Sequence, residues 1–118
     1  MQSEALSALA QEALEELKGI DIVVLDVRKR SSVCDTMIIA SGTSQRHVKS
    51  LAQSVVLSLK EKGLLPLGVE GEREGNWVLV DLGDVVVHVM HPETREFYSL
   101  EKLWSLDDQV AKQSAAGN

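Results

Sequence analysis

Residues 76–90 read NWVLVDLGDVVVHVM, two apolar runs separated by a Gly-containing break. Side chains alternate between the two faces of a strand, so such a pair of runs specifies an antiparallel hairpin. With Leu82-Gly83 as a two-residue turn, Asp81 pairs with Asp84, Leu79 with Val86 and Trp77 with His88. One face then carries Val78, Val80, Val85, Val87 and Val89, all aliphatic. The other carries Trp77, Leu79, Asp81, Asp84, Val86, His88 and Met90. The valine face is expected to pack beneath helices, and the elements on either side of the hairpin supply them.

Upstream, Leu6, Leu9, Ala10, Ala13, Leu14 and Leu17 recur at helical spacing and form one apolar stripe, with Gly19 expected as the C′ residue. Val48, Leu51, Ala52, Val55, Val56 and Leu59 repeat that spacing in a second helix, which Thr43 is expected to cap and Gly63 to close. Between them, the β-branched run 20–27 reads as a strand buried on much of both faces, 28–32 as a turn, and 35–40 as a second strand. Pro66 limits residues 65–69 to an edge strand or a strand start, and GEREG at 71–75 is a polar loop. Pro92 suits the first position of a last helix, with Glu93 and Glu96 at its positive end and Phe97, Leu100, Leu103 and Trp104 on an apolar side. The fold class expected is therefore α/β, a single domain over residues 1–104. Its order is α-β-β-α-β-β-β-α, built on a mixed five-stranded sheet. Residues 105–118 have little to bury and are expected to form a disordered tail.

The chain has 118 residues, a length that favours one domain, and a net charge of −6. An acidic chain is a poor ligand for the phosphate backbone, whose affinity comes from Lys and Arg releasing counterions, so no primary nucleic-acid contact is expected. No apolar run approaches the roughly 20 residues that span a bilayer. Residues 1–17 hold four glutamates and no Lys or Arg, the reverse of a signal or transit peptide, so a cytoplasmic location is expected. The lone cysteine, Cys34, cannot pair within the chain and fits a reducing compartment.

Several constellations invite chemistry, and each has a plainer reading. His88 and His91 with Asp81 or Asp84 could hold zinc or act as a base, but the spacing favours surface or helix-capping histidines. Cys34 with His47 could form a nucleophile pair, against a buried inert thiol. The loop 41–44 (SGTS) at a helix start could bind phosphate, against simple capping. The chain has no Asp-x-Asp or Asp-x-Glu to hold magnesium, so phosphoryl transfer lacks its charge-neutralising centre. No enzyme, cofactor or metal is expected. The second hairpin face is the most informative feature: an aromatic, aliphatics, a methionine and a histidine beside two acids suit a protein-docking patch. The competing reading is that a helix or the 71–75 loop covers Trp77 as ordinary core. Residues 70–104 hold eight acids and three bases, an acidic rim that would steer a basic partner.

The blocks DTMIIASGTSQRHVKSLA (35–52) and GLLPLGVEGEREGNWVLVDLGDVVVHVMHPETREFYSLEKLW (63–104) resemble the ribosomal silencing factor, or Iojap-like, family. The resemblance implies a nucleotidyltransferase-like fold without the catalytic acids. It also implies a non-enzymatic factor that binds ribosomal protein L14 on the intersubunit face of the large subunit. Bound there, such a factor sterically blocks subunit joining and represses translation under nutrient limitation, with a part in large-subunit assembly as the alternative. The positions that match the family's binding surface are Trp77, Leu79, Asp81, His88, Met90 and Tyr98, with Glu70 joining Asp81 against basic partner residues. A homodimer of the free protein through the same patch is a further expectation, and a nucleotide-binding domain using residues 41–44 is the remaining alternative.

Overall fold

The computed structural model describes residues 2–29, 31–32, 34–100 and 102. Within them lie α1 (Ser3–Glu16), β1 (Ile20–Asp26), β2 (Thr36–Ser41), α2 (Gln45–Glu61), β3 (Gly68–Glu70), β4 (Trp77–Asp81), β5 (Val85–Met90) and α3 (Pro92–Tyr98). This is the expected element order. The five strands form one sheet in the order β1-β2-β5-β4-β3, antiparallel except for the parallel β2–β5 pair. The connection that crosses between β2 and β5 includes α2, the kind of long crossover parallel pairing requires.

The valine face packs as expected. Val78, Val80, Val85, Val87 and Val89 join Ile38 and Ala40 beneath the stripes of α1 and α2, in a core that includes Leu6, Leu14, Leu51 and Leu59. A second, smaller cluster on the opposite face holds Val27, Cys34, Met37, Ile39, Val86 and Met90.

Local chemistry sets the element ends, and several depart from the sequence expectation. The α2 N-cap is Ser44 rather than Thr43: the Ser44 hydroxyl accepts the His47 N–H at 3.0 Å, while Thr43 N–H donates to the His47 ring. At the end of α1 the left-handed residue is Lys18 (φ 60°), not Gly19. The Gly19 N–H reaches back to Leu14 O and Lys18 N–H to Glu15 O, the paired bonds of a Schellman ending. Gly63 (φ 74°) closes α2 by the same motif, its N–H on Lys60 O and that of Leu64 on Leu59 O. Strand β1 is an edge strand, with a bulge between Ile20 and Val23 and with Val24 exposed, so it is not buried on both faces. The turn after it is tied by Asp26, whose carboxylate accepts the Arg28 backbone and guanidinium N–H groups, which hold that carboxyl down at about 2. β3 is shorter than expected, starting two residues after Pro66. Leu103, Trp104 and the expected tail at 105–118 lie outside the described residues.

The hairpin register differs by two residues from the expected one. Trp77 stands opposite Met90, Leu79 opposite His88 and Asp81 opposite Val86. Gly83 and Asp84 form the turn, with Leu82 N–H on Val85 O and Gly83 N–H on the Asp81 carboxylate at 2.9 Å. Gly83 (φ 96°) takes the first central position, where glycine admits the positive φ that two-residue hairpins use. A slip of two preserves which face each strand side chain points to, so both faces keep their expected members except Asp84, which lies in the turn.

Gly71 (φ 84°) differs from Gly83 in what surrounds it: a Cβ at Gly71 would run into the Trp77 carbonyl, whereas one at Gly83 would meet only Leu67 Cδ1 at 3.7 Å. Gly83→Ala should therefore cost about 1 kcal/mol, the conformational penalty alone. Gly71→Ala should cost clearly more and disturb Trp77. Urea unfolding of both variants checks the order, and equal losses would remove the role assigned to the Gly71–Trp77 contact.

Candidate protein-docking site

The second sheet face ends at an aromatic cluster. β4 alternation turns Trp77, Leu79 and Asp81 toward it, and β5 contributes Val86, His88 and Met90. His88 is the diagonal neighbour of Trp77, two residues from its direct partner Met90, a separation long side chains bridge. The Trp77 indole N–H donates to His88 Nδ1 at 3.0 Å, with ring centroids 5.9 Å apart. An acceptor Nδ1 requires the neutral tautomer protonated at Nε2. His88 is only 6% exposed, and burial pushes its imidazole down to about 4.

α3 brings in the other rings. His91 caps it by accepting the Glu93 N–H at Nδ1, Pro92 fills its first turn, and His91 N–H is tied to Asn76 O, beside Trp77. Arg95 is the buried residue of this helix: its Nη1 donates to Ser41 Oγ at 3.0 Å and to Ile20 O, fastening α3 to the ends of β2 and β1. Ser99 (φ 51°) ends the helix, and Leu100 then packs on the second cluster. With Arg95 turned inward, Phe97 on the opposite side of the helix is 81% exposed, while Tyr98, packed on Trp77, is 53% exposed. Tyr98 lies 4.8 Å from Trp77 and Phe97 meets Tyr98 edge-on at 5.0 Å, favourable aromatic geometries.

Trp77, His88 and Tyr98 are thus in direct ring contact, with Leu79 half-buried beside them. Asp81 lies at the hairpin end of the same face, and Glu70 projects from edge strand β3 opposite Leu79, exposed. Met90 is 0% exposed, so with His88 it forms the floor beneath Trp77 rather than contact surface. Phe97 was expected on the apolar side of α3; it is instead its most exposed ring. The signal for this lay in the helix itself, because Phe97 stands two residues, about 200°, from Arg95. Recognising it required knowing that the arginine was the buried member.

The other constellations are committed to structure. His47 Nδ1 accepts the Thr43 N–H at 2.9 Å and its Nε2 contacts Leu17 O at 2.7 Å, tying α2 to the end of α1 rather than to Cys34. Burial pushes the Cys34 thiol up, which disfavours the nucleophilic thiolate. Among the described residues no three His, Cys, Asp or Glu side chains group as metal ligands, and no helix is long and apolar enough to cross a membrane.

Residues 1–117 match the family model described as ribosomal silencing factor during starvation. The chain is 53% identical over 104 residues to a ribosomal silencing factor of Chromobacterium violaceum, covering 88% of this chain and 85% of that one. It is 41% identical over 108 residues to a mouse protein described as mitochondrial assembly of ribosomal large subunit protein 1, covering 86% of this chain and 47% of that one. A Chromobacterium violaceum crystal structure superposes with a TM-score of 0.87 at 52% identity, covering 89% of this chain and 88% of that one. The chain belongs to the ribosomal silencing factor family.

Keeping His88 neutral has a cost in acid. The unfolded chain takes up the proton near pH 6.5 and the folded one near 4, so the associated stability is present above pH 6.5 and declines as pH falls through that window. The expected loss is about 3 kcal/mol. Urea unfolding from pH 7 to 4 should show it in the wild type and not in His88→Asn, with the carboxylate contributions cancelling in the difference. Parallel pH profiles for the two proteins would contradict the neutral, buried assignment.

Proposed function

We propose that this chain is a translational silencing factor that works by occlusion. It docks through the Trp77 face onto ribosomal protein L14 of the large subunit, keeps the small subunit from joining and so represses translation when nutrients are short. The observation that carries this reading is the exposed Phe97–Tyr98–Trp77 ring cluster, with Leu79 beside it and Glu70 and Asp81 on the same sheet face. Exposed aromatics of this kind are the usual energetic centres of protein interfaces, and acids around them favour encounter with a basic partner. Trp77, Tyr98 and Leu79 are the contact residues in this reading, Glu70 and Asp81 meet Lys or Arg, and His88 and Met90 support from beneath. No chemical turnover is involved, and the site of action is the cytoplasm.

The family membership and the relatives described as silencing factors support a regulatory, ribosome-associated role. The mouse relative described as an assembly protein favours a second reading, action on maturing large subunits through the same surface. The free protein would cover its aromatic patch by pairing with a second copy. The nucleotide-binding alternative finds less support, because the 41–44 loop spends its groups internally: Ser41 Oγ accepts from Arg95, Thr43 N–H donates to His47, and Ser44 caps α2.

Sedimentation with isolated ribosomal subunits should show the protein migrating with large subunits only. Trp77→Ala should weaken that binding by at least about 2 kcal/mol, roughly thirtyfold, while remaining folded. Wild-type protein that stays at the top of the gradient at low and moderate salt would overturn the reading. An unfolded Trp77→Ala chain would return Trp77 to the core.

A further inference from the structure

We infer that His88 is a positioning residue of the docking surface: it holds the Trp77 indole in one orientation before any partner arrives. The inference rests on the docking reading above and gives His88 the specific task of orienting the indole from beneath. Trp77 is half-buried, and its indole N–H, a donor with no acceptor capacity, points across the strand to His88 Nδ1 at 3.0 Å. The acceptor is set into the sheet. His88 lies on the central strand, paired with Leu79 on one side and Ile39 on the other, and is 6% exposed. Tyr98 contacts the same indole at 4.8 Å, so the ring is held by a hydrogen bond and by a second ring. The other members of β5 are four valines and a methionine. An aliphatic side chain at position 88 would fill the space without desolvating an imidazole; what it would not provide is an acceptor. Fixing a large anchor in its bound rotamer removes an ordering cost that association otherwise carries.

Asparagine and leucine at position 88 separate this role from packing. They are similar in size, but only asparagine offers an acceptor, and its Oδ1 falls where Nδ1 stands. In the free wild type, a long-range proton–nitrogen spectrum of the imidazole should show the proton on Nε2, and the Trp77 indole proton, assigned with Trp77→Phe, should exchange slowly with water. His88→Leu should speed that exchange and weaken binding to isolated large subunits roughly three- to tenfold, the range expected for losing one pre-set side chain. His88→Asn should restore both. Should the leucine variant not fold, His88→Gln replaces it, because its acceptor reaches the Nε2 position and leaves the indole unpaired. A proton on Nδ1, or unchanged binding in a variant whose indole exchanges freely, would overturn the inference, as would equal weakening by asparagine and leucine. Wild type that ignores large subunits would remove the docking reading instead, and the spectra of the free protein would still show whether His88 holds the indole.

Discussion

β5 runs between β2 and β4, and all six of its residues, Val85–Met90, are buried. A central strand with no exposed face needs cover from two sides, and much of the rest of the structure follows from how that need is met. On the valine side two long amphipathic helices meet it with an aliphatic core. On the other side the described residues offer Val27 and Cys34 of the β1–β2 connection, a seven-residue helix and Leu100 beyond it. The remaining cover comes from side chains of the sheet itself, above all Trp77 lying over Met90 and His88. Aromatic rings suit this duty because one ring shields a large apolar area while its outer face stays accessible. Shielding the strand and presenting the proposed docking surface are therefore one arrangement.

The electrostatics follow the same division. A charged imidazole under Trp77 would be costly, and His88 stays neutral by giving Nδ1 to the indole. Carboxylates avoid the centre of the face and occupy its edges, Asp81 binding the Gly83 amide and Glu70 standing on the short edge strand. An apolar centre with charge kept outside it is how protein interfaces are generally built. The positive groups nearest the cluster are differently employed: Arg95 is buried and spent on Ser41 and Ile20.

Most of the architecture was legible because it depends on periodicity. The valine face survived a turn misplaced by one residue, since a register error of two leaves every side chain on its own face. What periodicity does not encode was missed. Thr43 and Ser44 both carry capping hydroxyls, and the spacing alone does not choose between them; in the structure Ser44 Oγ takes the His47 N–H while the His47 ring takes the Thr43 amide. Lys18 adopts positive φ because the Schellman bonds need it there, with Gly19 packed one residue on against Leu14. β1 looked like a doubly buried strand from composition, yet its place at the sheet edge is a fact of topology. The docking residues were recognisable as one face, but their depth was not. Met90 and His88 sink beneath Trp77 on the central strand, and Phe97 emerges on the side of α3 away from the buried Arg95.

The loop after β2 and the ring cluster at α3 differ in what each leaves available to a partner. The β2–α2 loop is occupied by contacts within the chain: Gly42 packs so tightly on Val48 that a Cβ would fall 2.8 Å from its amide nitrogen. The rings at the end of α3 are the contrary case, held in place and still open. For an enzyme, loosening such a surface by a fraction of its binding energy can be offset elsewhere in the cycle. For a factor that acts only by occupying a site, affinity is the whole activity. In the proposed reading, the bonds that order the patch in the free protein, Trp77 to His88 and Arg95 to Ser41, count directly toward function even though three of those four residues, His88, Arg95 and Ser41, are buried.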